Sequence, residues 1–277
     1  AGGSQARGMQ AAMSTFLRAI RTLAVLVPIA LFTSGCADLS LGIANSADRI
    51  ATTSVRTANV AYGSDPRQRL DVYVPAQRLA RTATAIVFIH GGRWNSGSKD
   101  EYRFIAAGLA ERGFVVVVPN YRLYPQVRMA EGLDDVARAV AWVQTSAGDY
   151  GTDGARVIVA GHSSGAHFAA MLAFDARWLA KAGGRPVQGF AGFSGPYDFL
   201  PLKDADLIDY FGPPERFADS QPVNFVGRES PPAFLVHGLA DTVVAPDNTR
   251  SLASHLEAAG VPVELHLPAT EDHGGTL

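Results

Sequence analysis

Ser163 stands at the centre of Gly161-His162-Ser163-Ser164-Gly165. An apolar run, Val157-Ile158-Val159-Ala160, leads into it, and an Ala-rich helical pattern leaves it. A serine on such a strand–turn–helix corner projects its hydroxyl above the sheet edge, where it can act as a nucleophile. So tight a turn strains the serine backbone and leaves no room for Cβ atoms two residues to either side. Gly161 and Gly165 supply that room. The helix that follows aims its first N–H groups at the point where negative charge would develop. A plain Gly/Ser turn is the alternative, and the flanking pattern and the partner residues weigh against it.

A serine hydroxyl is a weak nucleophile until a base takes its proton, and the base needs a carboxylate to fix its tautomer. Asp241 is the candidate acid. It follows the strand-like Phe234-Leu235-Val236-His237, and a loop after a parallel strand lies at the carboxyl edge of the sheet, where such sites assemble. Asp198 and Asp272 are weaker rivals, and Asp247 reads as the N-cap of the next helix. His273 is the candidate base, on a loop after the last strand pattern in Glu271-Asp272-His273-Gly274-Gly275. His266 falls inside a strand pattern and His255 on a helix, while His90, His162 and His167 read as structural hydrogen-bonding groups around the turn.

The elements that must position these residues alternate. Asn59–Gly63 and Arg69–Val74 read as an antiparallel hairpin across Gly63-Ser64-Asp65-Pro66. Strands are then expected at Ala85–Ile89, Phe114–Pro119, Val157–Ala160, Val187–Ser194, Pro232–His237 and Val261–Leu267. Helices are expected at Lys99–Arg112, Glu131–Thr145, Ser164–Phe174 and Asp247–Ala259. This order predicts an α/β fold with a mostly parallel sheet and helices on both faces. The Pro- and aromatic-rich stretch at about 195–230 breaks the rhythm and reads as a small lid or wall, with a surface loop as the alternative.

Composition narrows the chemistry. The 277 residues are 47% hydrophobic, enough for one sizeable core. The net charge of −2 and the lack of a basic run give no footprint for nucleic acid. One cysteine, Cys36, permits neither an intrachain disulfide nor a cysteine zinc site, and no His-x-x-x-His pair occurs, so no metal is expected; chemistry on a serine, a histidine and an aspartate implies no cofactor.

Four motifs together carry a resemblance: His90-Gly91-Gly92-Arg93-Trp94, Asn120-Tyr121-Arg122-Leu123, Gly161 to His167, and His237-Gly238-Leu239-Ala240-Asp241. The chain from about Tyr62 to His273 resembles the α/β-hydrolase superfamily. Within it, the chain is similar to the hormone-sensitive-lipase-like esterases and more so to the kynurenine formamidase-like and feruloyl-esterase-like branch. The resemblance implies the chain order Ser, Asp, His, which Ser163, Asp241 and His273 follow and which His237 breaks. By position, the family's oxyanion donors fall on the N–H groups of Gly92, Arg93 and Ser164. Arg93 replaces the third glycine of the family's motif, so its side chain is expected to crowd or charge the pocket mouth. The family continues past the histidine with a further helix, which is expected beyond Leu277. The implied activity is a serine carboxylesterase acting on a small-molecule ester of small to medium acyl size. An arylformamidase or amidase of the same fold and a non-catalytic surface binding module are the alternatives.

Residues 1–36 read as an export leader. Arg18 and Arg21 precede an apolar run from Leu23 to Phe32, interrupted by Pro28 and too short to span a bilayer. Ser34-Gly35-Cys36 resembles the lipobox of bacterial lipoproteins, with Thr33 departing from the preferred leucine. That resemblance implies lipidation of Cys36, and Ala37 in place of aspartate implies the outer membrane. Residues 37–57 read as a polar tether to a domain at 58–277.

Overall fold

A computed structural model of the chain describes residues 54–76 and 83–277. Eight strands form one sheet: β1 (Ser54–Ala61), β2 (Arg69–Pro75), β3 (Ala85–Ile89), β4 (Val115–Pro119), β5 (Val157–His162), β6 (Gly189–Phe193), β7 (Ala233–Val236) and β8 (Val263–His266). Their order across the sheet is β1-β2-β4-β3-β5-β6-β7-β8. β2 is antiparallel to both β1 and β4, and every pairing from β4 to β8 is parallel. The expected hairpin start and parallel remainder are both present.

Two-faced burial explains the unbroken apolar strands. Along β4, Val115 and Val117 enter one core and Val116 and Val118 the other, because successive side chains of a strand point to opposite faces. The larger core lies under α2 (Met129–Ser146), α3 (Ser164–Phe174), α4 (Ala176–Lys181) and α6 (Asp247–Ala258). The smaller core lies under α1 (Arg103–Glu111), which contributes Ile105, Ala106 and Leu109.

Boundaries differ from expectation where a tertiary contact decides them. β1 starts at Ser54, within the stretch read as a tether, and carries a bulge between Thr57 and Val60 with Asn59 at φ 60°. A bulge inverts the in–out alternation, which hides the first half of the strand from a periodicity reading. Lys99–Tyr102 forms a 3₁₀ turn and not the first turn of a longer helix. The Asn120 side chain accepts from the Lys99 N–H, and the Lys99 ammonium is drawn inward to Asp71 at 3.0 Å. α4 follows α3 after one residue, because Asp175 ends one helix and caps the next by accepting from the Arg177 N–H.

The stretch 195–230 holds α5 (Ala205–Phe211) and two 3₁₀ turns, Pro214–Ser220 and Pro222–Phe225. Tyr197, Tyr210, Phe211 and Val223 are buried in the larger core. Burying each large side chain contributes roughly 2–3 kcal/mol, which seats this stretch firmly on the sheet's carboxyl edge.

Candidate active site

β5 delivers the nucleophile candidate. Ser163 has φ 54° and ψ −125° at the N-cap of α3, and its side chain makes no capping bond to the helix. Its N–H donates to the Phe193 carbonyl at 2.9 Å, which fixes the corner to β6. A Cβ on Gly161 would collide with the Gly165 carbonyl, and one on Gly165 with the carbonyls of Ile89 and His90. Both glycines therefore have the steric role expected of them. A positive-φ serine costs about 1–3 kcal/mol, held by the packing of β5 and α3.

Two loops at the carboxyl edge meet over this corner. His273 Nε2 lies 2.9 Å from Ser163 Oγ, and its Nδ1 lies 2.7 Å from Asp241 Oδ2. Asp241 Oδ1 accepts from the N–H groups of Val243 and Val244 at 2.8 and 2.9 Å. Burial pushes the Asp241 carboxyl up, but hydrogen bonds from His237 and His273 and the Val244 N–H outweigh it and hold the group well below the usual carboxylate range. Asp241 is thus a fixed anion, and His273 Nδ1 must carry a proton toward it, which leaves Nε2 as an acceptor for the serine hydroxyl.

The loops that carry Asp241 and His273 are joined to each other. Ala240 N–H donates to the Glu271 carbonyl at 3.1 Å and Leu239 N–H to the Pro268 carbonyl at 2.9 Å. A Cβ on Gly238 would collide with the Glu271 carbonyl, so the two loops touch along their backbones. Beyond the histidine, Asp272 Oδ1 accepts from the N–H groups of Gly274 and Gly275. The buried hydroxyls of Ser194 and Thr276 bond at 2.9 Å, and Leu277 packs against the smaller core.

The rivals are engaged elsewhere. Asp198 accepts from Ser251 at 2.6 Å, His266 faces Glu264 at 2.8 Å, and His255 bonds to the Ser251 carbonyl on its own helix. Asp247 is the first residue of α6, whose N-cap position is Pro246 and has no side-chain capping bond. Cys36 lies outside the described residues.

The loop after β3 carries the expected oxyanion positions. Gly92, Arg93 and Trp94 all have positive φ, at 119°, 52° and 62°. The Gly92 carbonyl accepts from the N–H groups of Asn95 and Ser96, closing the loop, and a Cβ on Gly92 would strike the Ser96 carbonyl. Among the described residues, nothing accepts from the N–H groups of Gly92 and Arg93. Ser164 N–H belongs to the uncapped first turn of α3. The Arg93 guanidinium reaches Asp204 at 2.5 Å, joining this loop to the N-cap of α5. Its bond holds the Asp204 carboxyl below the usual range.

Trp94 and His167 belong to a buried aromatic cluster on this side. Trp94 packs edge-on against His167 and Phe211, with centroids at 5.3 and 4.9 Å, and stacks on Tyr210. His167 is on the first turn of α3, its N–H bonded to the Ser163 carbonyl. The Asn120-Tyr121-Arg122 motif is a brace. The Tyr121 hydroxyl donates to the His90 carbonyl, its ring stacks on His90 at 4.3 Å, and Arg122 forms a two-pronged pair with buried Asp135.

Two histidines matter more than the sequence reading allowed. His237 Nε2 lies 3.0 Å from Asp241 Oδ2 and 2.9 Å from the Val244 carbonyl, with Nδ1 at 2.6 Å from Thr249 Oγ1. Its signal was the four-residue spacing to Asp241 after a strand. His162 bonds to the backbone of His273 itself.

The BD-FAE family profile matches residues 70–256. The chain belongs to the BD-FAE family. The matched stretch contains Ser163 and Asp241 and stops short of His273. Esterase LipC of Mycobacterium tuberculosis is 29% identical over 224 residues, covering 74% of this chain and 56% of LipC. The isoprenylcysteine alpha-carbonyl methylesterase ICME of Arabidopsis thaliana is 27% identical over 242 residues, covering 78% and 56%. The chain thus spans about half the length of these curated relatives. Among solved structures, apo Thermogutta terrifontis esterase 2 superposes with TM-score 0.69 at 27% identity, over 78% of this chain and 84% of that one. A truncated carbohydrate esterase from gut microbiota gives TM-score 0.70 at 24% identity, over 81% and 91%, a likeness of fold. The sheet of this BD-FAE member is therefore that of an α/β-hydrolase.

Proposed function

We propose that this chain hydrolyses carboxylic esters through an acyl-enzyme on Ser163. The single observation that carries the reading is the relay Ser163 Oγ–His273 Nε2 at 2.9 Å and His273 Nδ1–Asp241 Oδ2 at 2.7 Å. Ser163 Oγ attacks the acyl carbon while its proton passes to His273 Nε2. Asp241, held as an anion, keeps the imidazole oriented and stabilises the imidazolium. The carbonyl oxygen gains negative charge and accepts from the N–H groups of Gly92, Arg93 and Ser164, donors of the kind whose removal costs about 10²–10³ in kcat. Collapse breaks the ester C–O bond, and the alkoxide leaves as alcohol with the proton from His273. Water then gives its proton to His273 Nε2 and attacks the acyl carbon, releasing the acid and restoring Ser163.

The reading extends to esters of small to medium acyl chains, on the support of the resemblance alone; Trp94, His167, Phe199 and Phe211 form an aromatic cluster at the helix that starts at the serine. The names of the similar proteins, an esterase and a methylesterase, support ester over amide chemistry. The test is a turnover panel of p-nitrophenyl acetate, longer acyl esters, acetylated sugars and N-formylkynurenine, with fluorophosphonate labelling of Ser163. Faster turnover of the formamide than of every ester overturns the ester reading, and no labelling overturns the serine mechanism.

We further propose that the protein is exported and lipid-anchored at Cys36, on the support of the basic, apolar and small-residue order that ends at its only cysteine. Cys36→Ser should abolish incorporation of labelled fatty acid and membrane partition in a bacterial host. Unlipidated, soluble wild-type protein would refute the anchor.

A further inference from the structure

The second residue of the Gly-x-Ser-x-Gly corner is a histidine that joins two parts of the site that chemistry must hold in register. The Gly91 N–H donates to the Tyr102 hydroxyl at 3.1 Å, Tyr102 lies 3.1 Å from His162 Nδ1, and His162 Nε2 lies 2.8 Å from the His273 carbonyl. The directions follow from chemistry. A carbonyl only accepts, so His162 Nε2 carries the hydrogen, and in a neutral ring Nδ1 is then an acceptor. The Tyr102 oxygen already receives the Gly91 N–H, and its own hydrogen points to Nδ1. Burial pushes the His162 pKa down to about 3, with neighbouring His273 adding to the effect, so the ring stays neutral and in one tautomer at working pH. The imidazole rings of His162 and His273 lie 4.8 Å apart. Gly91 is the first glycine of the loop bearing the oxyanion positions, and a Cβ there would crowd the Tyr102 hydroxyl.

We infer that His162 is a positioning residue: its Nε2–H holds the His273 backbone, and through Tyr102 it sets that backbone against the Gly91–Gly92 loop. The inference rests on the serine-hydrolase reading of the site. The link gives each flank of Ser163 a fixed distance to the other. The base is anchored from Asp241 at its ring and from His162 at its carbonyl, so neither its side chain nor its backbone can drift. A misplacement of about 1 Å at a reacting group costs on the order of 10²-fold in rate.

The test compares two amides of different reach. In His162→Gln the amide nitrogen takes the place of Nε2 and can donate to the His273 carbonyl. In His162→Asn it takes the place of Nδ1 and falls short. Each variant and Tyr102→Phe are measured for the rate of Ser163 phosphonylation by a fluorophosphonate, for kcat and KM on p-nitrophenyl acetate, and for melting temperature. The expected result is phosphonylation and kcat slower by about 10- to 100-fold for His162→Asn, with KM within about threefold, and recovery toward the wild-type rate in His162→Gln. Tyr102→Phe should lose activity in the same sense by a smaller factor. Equal rates for the Gln and Asn variants, or a wild-type rate for Asn and for Tyr102→Phe, overturn the inference. Should the Asn variant not fold, a wild-type phosphonylation rate in Tyr102→Phe overturns it alone. Labelled wild type that turns over no ester overturns the hydrolase reading, while the Gln-to-Asn labelling ratio still decides the positioning role. Wild type that is not labelled overturns both.

Discussion

Acid should unfold this protein through its interior histidines before its carboxylates titrate. His90, His162 and His167 are buried, and burial lowers their pKa values from 6.5 to about 3, 3 and 4. In the folded state all three stay neutral as the pH falls, while in the unfolded chain each binds a proton below 6.5. The unfolded state therefore gains protons first, and stability is full above pH 6.5 and lost from there downward until the folded values are reached. At pH 5 each histidine costs about 2 kcal/mol, about 6 kcal/mol together. That is comparable to the whole stability of an ordinary domain, about 5–15 kcal/mol. Urea unfolding followed by circular dichroism between pH 8 and pH 5 reads this directly. With a slope of about 3 kcal/mol/M, the midpoint should fall by about 2 M. His167→Gln retains a donor for the Ser220 carbonyl, which His167 Nε2 serves at 2.7 Å, and cannot titrate. It should remove about a third of the pH dependence whatever it does to the baseline. A midpoint that stays level from pH 7 to pH 5 would refute the argument, as would an unchanged slope in His167→Gln.

Ser163→Ala should lower ester turnover by about 10⁴-fold or more while leaving the melting temperature within a few degrees, and residual activity within tenfold of wild type would remove Ser163 from the mechanism. Asp241→Asn should cost on the order of 10⁴ in kcat. One Asn oxygen can still accept from Val243 and Val244, but its NH₂ then faces the protonated Nδ1 of His273, and turning the imidazole to the other tautomer presents a hydrogen to Ser163. Activity within tenfold of wild type would show that the carboxylate is not the orienting group. Gly165→Ala should lose both turnover and more than about 3 kcal/mol in denaturant titration, because the added methyl meets the Ile89 and His90 carbonyls and not a movable side chain. Arg93→Ala removes an exposed pair with Asp204 and should change stability by less than about 1 kcal/mol; a larger loss by the same titration would mean that the loop after β3 depends on it.

Ser163, Asp241 and His273 were legible because each follows a strand whose apolar run is unmistakable, and parallel strands deliver the following loops to one edge. Four successive valines in β4 are the pattern of a strand buried on both faces, and they divide between the two cores. What stayed hidden depends on contacts between distant segments. His237 reads as the end of a strand, and only the turn to Val244 brings its ring back onto Asp241. His162 reads as a structural hydrogen-bonding group at the turn, but its partners stay hidden, because Tyr102 and His273 arrive from two other segments. α5 escaped notice because seven residues give too little periodicity, and what stabilises it is Tyr210 and Phe211 against Trp94.

Among the described residues, β8 is the outermost strand on its side of the sheet, and the loop it feeds carries His273. Four residues pair it to β7, and none of them is fully buried. Ser163, by contrast, leaves a central strand flanked by β3 and β6. The site is therefore split between the middle and one edge of the sheet, and local opening at an edge has a smaller free energy than global unfolding. Fraying of that margin would abolish the proposed hydrolysis while the ellipticity is still native. Catalysis then reports on the edge, and spectroscopy on the interior, so the two midpoints in mild denaturant are measures of different cooperative units within a single chain.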